Sequence, residues 1–218
     1  MPRGAPAAAT PSLVPTESIT FRADHRAVLG GRAPAAVAAL GDTSILATKT
    51  CALFCSARCP GDIILRTLDL VVALRSADIP VISGFHTPME RECLALLLRG
   101  RQPVVICPAR SIHDLRLPQA WGTGIDAGRV LLLSPFPAGR CRPTLQTAAY
   151  RNRFVAALAT SVFVACASPG GNTEQLIREV VAWGTPVFTF AADATDNLKA
   201  IGARPIADEA AWIRNYRE

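Results

Sequence analysis

The sequence lacks any apolar run of the roughly 18 residues that a membrane span requires. Its first residues hold an arginine but no apolar leader segment, so a cytoplasmic location without membrane association is the expectation. Lysine is nearly missing: Lys49 and Lys199 are the only two among 23 basic residues, so the formal charge of +6 is carried almost wholly by arginine. Aromatic residues make up only 6% of the chain. There is no C-x-x-C. Cys51, Cys55 and Cys59 have three residues between each successive pair, and His25, His86 and His113 are scattered, so no metal site is expected. Neither G-x-G-x-x-G nor G-K-[ST] occurs, which argues against ATP hydrolysis and an ordinary dinucleotide site. No cofactor is expected, and no residue is assigned a catalytic role.

Half of the 218 residues are apolar, mostly Ala, Val, Leu and Ile. That length and content suit one sizeable core of helices packed on buried strands. In a cytosolic chain the seven cysteines are expected to be reduced. Cys107 and Cys166 end apolar runs and read as small core residues. Arginine is the better fork for phosphate and stacks on bases, so the composition is compatible with nucleic acid. A GC-rich genome would write the same bias.

Residues 1–33 read as a disordered leading segment, being Pro/Ala-rich at first and weakly patterned after, and residues 34–218 read as a single domain. The stretch 34–41, PAAVAALG, has the composition of a short helix. From residue 51 onward short apolar runs alternate with helical patterns. The runs are 51–56, 79–84, 103–108, 129–136, 161–167 and 186–190. The helical patterns are 62–77, 90–100, 144–159, 173–184, about 195–201, and one starting at 208. Short strands that are apolar throughout and alternate with helices predict an α/β fold: a doubly wound, mostly parallel, Rossmann-like sheet. In such sheets a ligand lies at the carboxyl ends of the strands. The stretches Ser56–Arg58, Ser83–Gly84, Pro108–Arg110, Ser134–Gly139 and Ser168–Thr173 should therefore converge on one edge.

Ser168–Thr173, SPGGNT, stands out among them. The pair Gly170–Gly171 lets backbone approach a ligand closely, and Asn172 or Thr173 can cap the following helix, whose amides form an anion site. A plain strand-to-helix turn has the same sequence. On the preceding helix, Arg151, Asn152 and Arg153 form an RNR motif. The two arginines are too far apart in angle to share one face, so one could reach the site while the other meets solvent or a partner. Arg58 follows a strand and precedes Gly61, as a second phosphate corner would. His86 and Glu174 lie in loops of the same kind, and a general-acid role for Glu174 would need a raised pKa.

These loops, in this order, resemble the DNA-processing protein A (DprA/Smf) family. The stretches that carry the likeness are Cys55-Ser56-Ala57-Arg58, Ser83-Gly84, RNRFVAALATSVFVACA (151–167), SPGGNTE (168–174) and DNLKAIGARPI (196–206), within a region of about residues 34–210. The resemblance implies single-stranded DNA binding, RecA recombinase as a partner in natural transformation and recombination, and a homodimer. The implied DNA or phosphate contacts are Arg58, Ser83, Gly84, Arg151, Arg153, Gly170 and Gly171, beside Asn152, Asn172 and Thr173 in the same motifs. The SPGGNTE loop also looks like that of the LOG phosphoribohydrolases, in the same superfamily. In that likeness Arg151 matches a catalytic arginine, while Glu174 comes too early in the loop to match the catalytic glutamate. A nucleotide-derived small-molecule binder or a LOG-like nucleoside monophosphate phosphoribohydrolase is thus the alternative, and a Rossmann-like domain with a decayed site is a third possibility.

Overall fold

The computed structural model describes residues 10–22, 28–29, 33–113 and 115–217. Its strands form one nine-stranded sheet in the order β1-β2-β6-β5-β4-β3-β7-β8-β9. The strands are β1 (Ser12–Pro15), β2 (Ala36–Leu40), β3 (Cys51–Phe54), β4 (Val81–Ser83), β5 (Val104–Ile106), β6 (Val130–Ser134), β7 (Ser161–Val164), β8 (Val187–Phe190) and β9 (Arg204–Ile206). Pairing is parallel throughout β3–β9, while β1 on β2 and β2 on β6 are antiparallel. The helices are α1 (Gly61–Ser76), α2 (Pro88–Leu97), α3 (Gln119–Asp126), α4 (Leu145–Leu158), α5 (Asn172–Ala182), α6 (Asp196–Ala200) and α7 (Glu209–Arg217).

The inner strands are apolar on both faces because both faces are covered. Along β3, Cys51 and Leu53 face one layer, while Ala52 and Phe54 face the other. The first layer packs α1, α2 and α7 through Ile63, Leu70, Leu74, Cys93, Leu97 and Trp212. The second packs α4, α5 and α6 through Phe154, Leu158, Ile177, Val180 and Leu198. From β3 the chain winds outward to β4, β5 and β6 over the first face. It then crosses back by α4 to β7 and winds the other way over the second face. The winding reverses between β3 and β7, the switch point beyond whose carboxyl ends sheets of this kind place a ligand crevice. The expected doubly wound, mostly parallel α/β fold is the one observed.

Two local expectations are overturned. Residues 36–40 are a strand, not a helix: alanine favours helix only weakly, and backbone pairing with β1 and β6 outweighs that preference. Within the segment read as disordered, residues 12–15 form the edge strand β1. An edge strand needs only main-chain hydrogen bonds, and three of its four side chains are exposed, so no hydrophobic pattern announces it. The same segment is tied to the body where the Arg22 amide donates to the Ala157 carbonyl at 2.8 Å. The rest of that expectation, on residues 1–9, 23–27 and 30–32, falls outside the described residues.

Candidate functional site

The two loops that leave β3 and β7 form the walls of the crevice, and they are fastened together. The Ser56 amide donates to the Cys166 carbonyl at 2.9 Å, and the Ser168 amide donates to the Ser56 hydroxyl at 3.2 Å. Arg58 is exposed on the first wall. The second wall turns at Gly170, whose φ of +69° is a left-handed conformation that favours glycine. Helix α5 follows, capped by Gly171 without a side-chain bond, so the cap is not Asn172 or Thr173 as the sequence suggested. The first helical bond runs from the Gln175 amide to the Gly171 carbonyl at 3.0 Å, which leaves the amides of Asn172, Thr173 and Glu174 ahead of it at the positive end of the helix dipole.

Glu174 fixes this wall. Its carboxylate accepts from the Gly170 amide at 3.2 Å, from Asn197 Nδ2 at 2.7 Å and from Arg178 at 3.0 Å. Asn197 also donates to the Ala167 carbonyl at 3.0 Å. The bond from Asn197, helped by the Gly170 amide and Arg178, holds Glu174 below the ordinary carboxylate range against the opposing effect of burial. That is the reverse of what a general acid needs at neutral pH.

Beneath the crevice lies a buried polar floor. Ser83 is fully buried, and its hydroxyl donates to the Leu53 carbonyl at 2.7 Å, so it joins β4 to β3 and is not presented to a ligand. Thr87 and Glu90 form a capping box at the start of α2. The buried Glu90 carboxylate accepts from the amides of His86 at 2.8 Å and Cys55 at 3.1 Å, tying the β4 loop to the end of β3. Arg151 comes up from α4 into this floor and is only 3% exposed. Its Nη1 donates to the Cys107 carbonyl at 2.8 Å, and its Nε donates to Asn152 Oδ1 at 2.7 Å. Burial lowers its pKa, and the nearby Glu90 carboxylate offsets part of that. A Cβ on Gly84 would fall inside the Arg151 guanidinium, so that glycine makes room for an arginine of its own chain.

Of the residues singled out in the sequence, Arg58, Gly170, Gly171, Asn172 and Thr173 are brought together at the crevice mouth. Ser83, Gly84, Arg151 and Asn152 form its floor. Arg153 lies elsewhere: it makes a two-pronged ion pair with Glu179, at 2.6 and 2.7 Å, joining α4 to α5. The two arginines do diverge in angle, and the one that points at the edge is held there by the Cys107 carbonyl and the Asn152 side chain.

The sequence places Glu90 beside Glu174 as a carboxylate in these loops, and its capping role is the part that went unread, although T-P-M-E has capping-box spacing. Arg110, in one of the stretches expected at the edge, follows β5. This arginine is half-buried, and its Nε is buried without a hydrogen-bond partner. The loops after β5 and β6 carry Arg110, Arg116, Arg140 and Arg142 against one carboxylate, Asp114. The segment after β8 and β9 carries Asp193, Asp196, Asp208 and Glu209, of which Asp196 pairs with Lys199 and Glu209 with Arg66. The edge is basic on one side and acidic on the other.

No curated protein sequence matches the chain. Among solved structures it is similar to DNA processing protein A from Helicobacter pylori, a protein with a unique single-stranded DNA binding mode. That match has 21% identity and a TM-score of 0.70, over 84% of this chain and 86% of that one. The corresponding protein from Streptococcus pneumoniae matches at 19% identity and a TM-score of 0.67, and there the chain covers 64% of the relative's length and 81% of its own. The molybdenum cofactor carrier protein of Chlamydomonas reinhardtii matches more distantly, at 11% identity and a TM-score of 0.54, over 78% of this chain and 97% of that one. At these identities the likenesses are of fold. Among the described residues no helix is long and apolar enough to cross a membrane. The family model for DNA recombination-mediator protein A matches residues 24–218, nearly the whole chain and every loop of the crevice, and the protein belongs to that family.

Proposed function

We propose that the protein binds single-stranded DNA along the carboxyl edge of its sheet. The observation that carries this reading is the crevice between β3 and β7. The exposed Arg58 stands on one wall, and the glycine turn with the leading amides of α5 stands on the other. Arginines and backbone amides hold phosphates whatever the base sequence. Arg58 and the amides of Asn172 and Thr173, presented by the turn at Gly170 and Gly171, are the phosphate contacts, with Arg110 beside them. Ser83, Gly84, Arg151 and Asn152 set the floor on which these contacts stand. The Helicobacter pylori relative, whose fold this chain shares, binds the same ligand. On this reading the compartment is the cytoplasm, the assembly is a homodimer and the protein partner is a RecA-type recombinase in DNA uptake and recombination.

The alternative of a nucleotide-derived small molecule uses the same crevice. In its phosphoribohydrolase form it needs an arginine and a glutamate at the reacting sugar, yet Arg151 is held by internal bonds and Glu174, out of place in the loop, is held by others. Fluorescence anisotropy of a labelled oligothymidylate across a salt series tests the proposal. The expected result is affinity falling with salt by a log–log slope of about 0.7 per phosphate neutralised. Arg58→Ala should weaken binding about tenfold, as loss of a charge-assisted hydrogen bond of ~1.5 kcal/mol implies, without changing the melting temperature. Absence of binding at low salt would overturn it, and displacement by nucleoside monophosphates alone would favour the alternative.

A further inference from the structure

The crevice walls hold a second cluster that phosphate binding does not use. Cys55 follows β3, Cys59 lies next to Arg58, and Cys166 follows β7. All three sit on the same face of the sheet: Cys55 and Cys166 are buried there, and the partly exposed Cys59 packs against the same layer. The three thiols lie close enough for each to act on the ionisation of its neighbours. Cys166 Sγ also lies 3.7 Å from the Arg58 carbonyl oxygen, one residue from Cys59. Cys55 instead directs its thiol to the Ser56 carbonyl at 3.4 Å.

We propose that Cys59 and Cys166 are an oxidation-sensitive dithiol that closes to a disulfide across the crevice, with hydrogen peroxide as the oxidant. Cys59 is the attacking thiol, because it is the most exposed of the three and the neighbouring Cys55 and Cys166 thiols favour its thiolate. It attacks one peroxide oxygen, the O–O bond breaks, and the departing hydroxide takes up a proton to leave as water. The Cys166 sulfur then attacks the Cys59 sulfenic acid. The S–O bond breaks, and the hydroxyl leaves with the Cys166 proton as a second water. Two thiols and one peroxide become one disulfide and two waters. Burial raises all three thiols, Cys166 to about 11 and Cys55 further, and Asp62 opposes ionisation of Cys59 and Cys166. These thiols are therefore slow at neutral pH, and Cys166 resolves more readily than Cys55. The bond would lock the loop that carries Arg58 to the loop that carries the glycine pair.

Peptide mapping tests this without reference to DNA. The full-length Cys141→Ser chain, which removes the exposed thiol, is treated with hydrogen peroxide, blocked with N-ethylmaleimide and digested with trypsin without reduction. Cleavage after Arg58 separates Cys55, in residues 50–58, from Cys59, in residues 59–66, and Cys166 falls in residues 154–178. The expected product is 59–66 linked to 154–178, released by dithiothreitol, absent from Cys59→Ser and kept in Cys55→Ser. A link from 59–66 to 50–58 would overturn the assignment. So would a Cys59 found only as maleimide adduct or sulfinic acid. The mapping of the chain with Cys59 and Cys166 intact stands even if either variant folds poorly.

Discussion

The floor and the rim of the carboxyl edge are built from the same residue types put to opposite uses. In the floor, Arg151, Glu90 and Ser83 are buried, and they join β3, β4 and β5 by bonds to carbonyls and amides. On the rim, Arg58 and the leading amides of α5 face outward, and Arg110 carries a buried nitrogen with no internal partner. The difference teaches that an arginine in a motif can serve a ligand indirectly. Arg151 fills the place of a phosphate fork, yet Nη1 is spent on the Cys107 carbonyl and Nε on the Asn152 side chain.

Breaking the floor should cost far more stability than breaking the rim. Arg151→Ala leaves the buried Cys107 carbonyl without its donor and removes a cation near the buried Glu90, so a loss of about 1–3 kcal/mol is expected in urea unfolding. Against it, the Arg58→Ala variant should unfold like the parent while losing affinity. Gly170→Ala would force a side chain into a left-handed conformation, with an expected cost of about 1–2 kcal/mol and weaker oligonucleotide binding by anisotropy. Arg153→Ala removes a half-exposed ion pair away from the crevice, so the loss should stay below about 1 kcal/mol, with DNA affinity unchanged. The smallest effect is confined to acid. Glu174 has a pKa below its ordinary 4.5, so its contribution is complete above that value and is lost as pH falls through the lowered one. Thermal melts below pH 4.5 should therefore show a steeper decline for the parent than for Glu174→Gln.

Most of the parallel sheet was legible in the sequence, because strands buried on both faces must be apolar throughout. The two antiparallel strands and the outermost parallel strand, β9, were not. β1 exposes most of its side chains, and β2 is alanine-rich, so neither has a period that periodicity can find. The convergence of loops was legible too, since strand polarity alone dictates it. What a side chain does at the end of its loop was not. Arg151 and Arg153 differ by two positions on one helix, and only the packing of α4 on the sheet and on α5 decides that one is buried under Gly84 and the other reaches Glu179.

The uneven charge of the carboxyl edge has a bearing on encounter as well as on contact. Basic loops over β5 and β6 and acidic ones over β8 and β9 give the edge a lateral field gradient, felt within about 8 Å at physiological ionic strength. A flexible polyanion approaching it experiences a torque before it touches anything. It is drawn over one half and turned away from the other, so its heading is set in solution, ahead of any hydrogen bond.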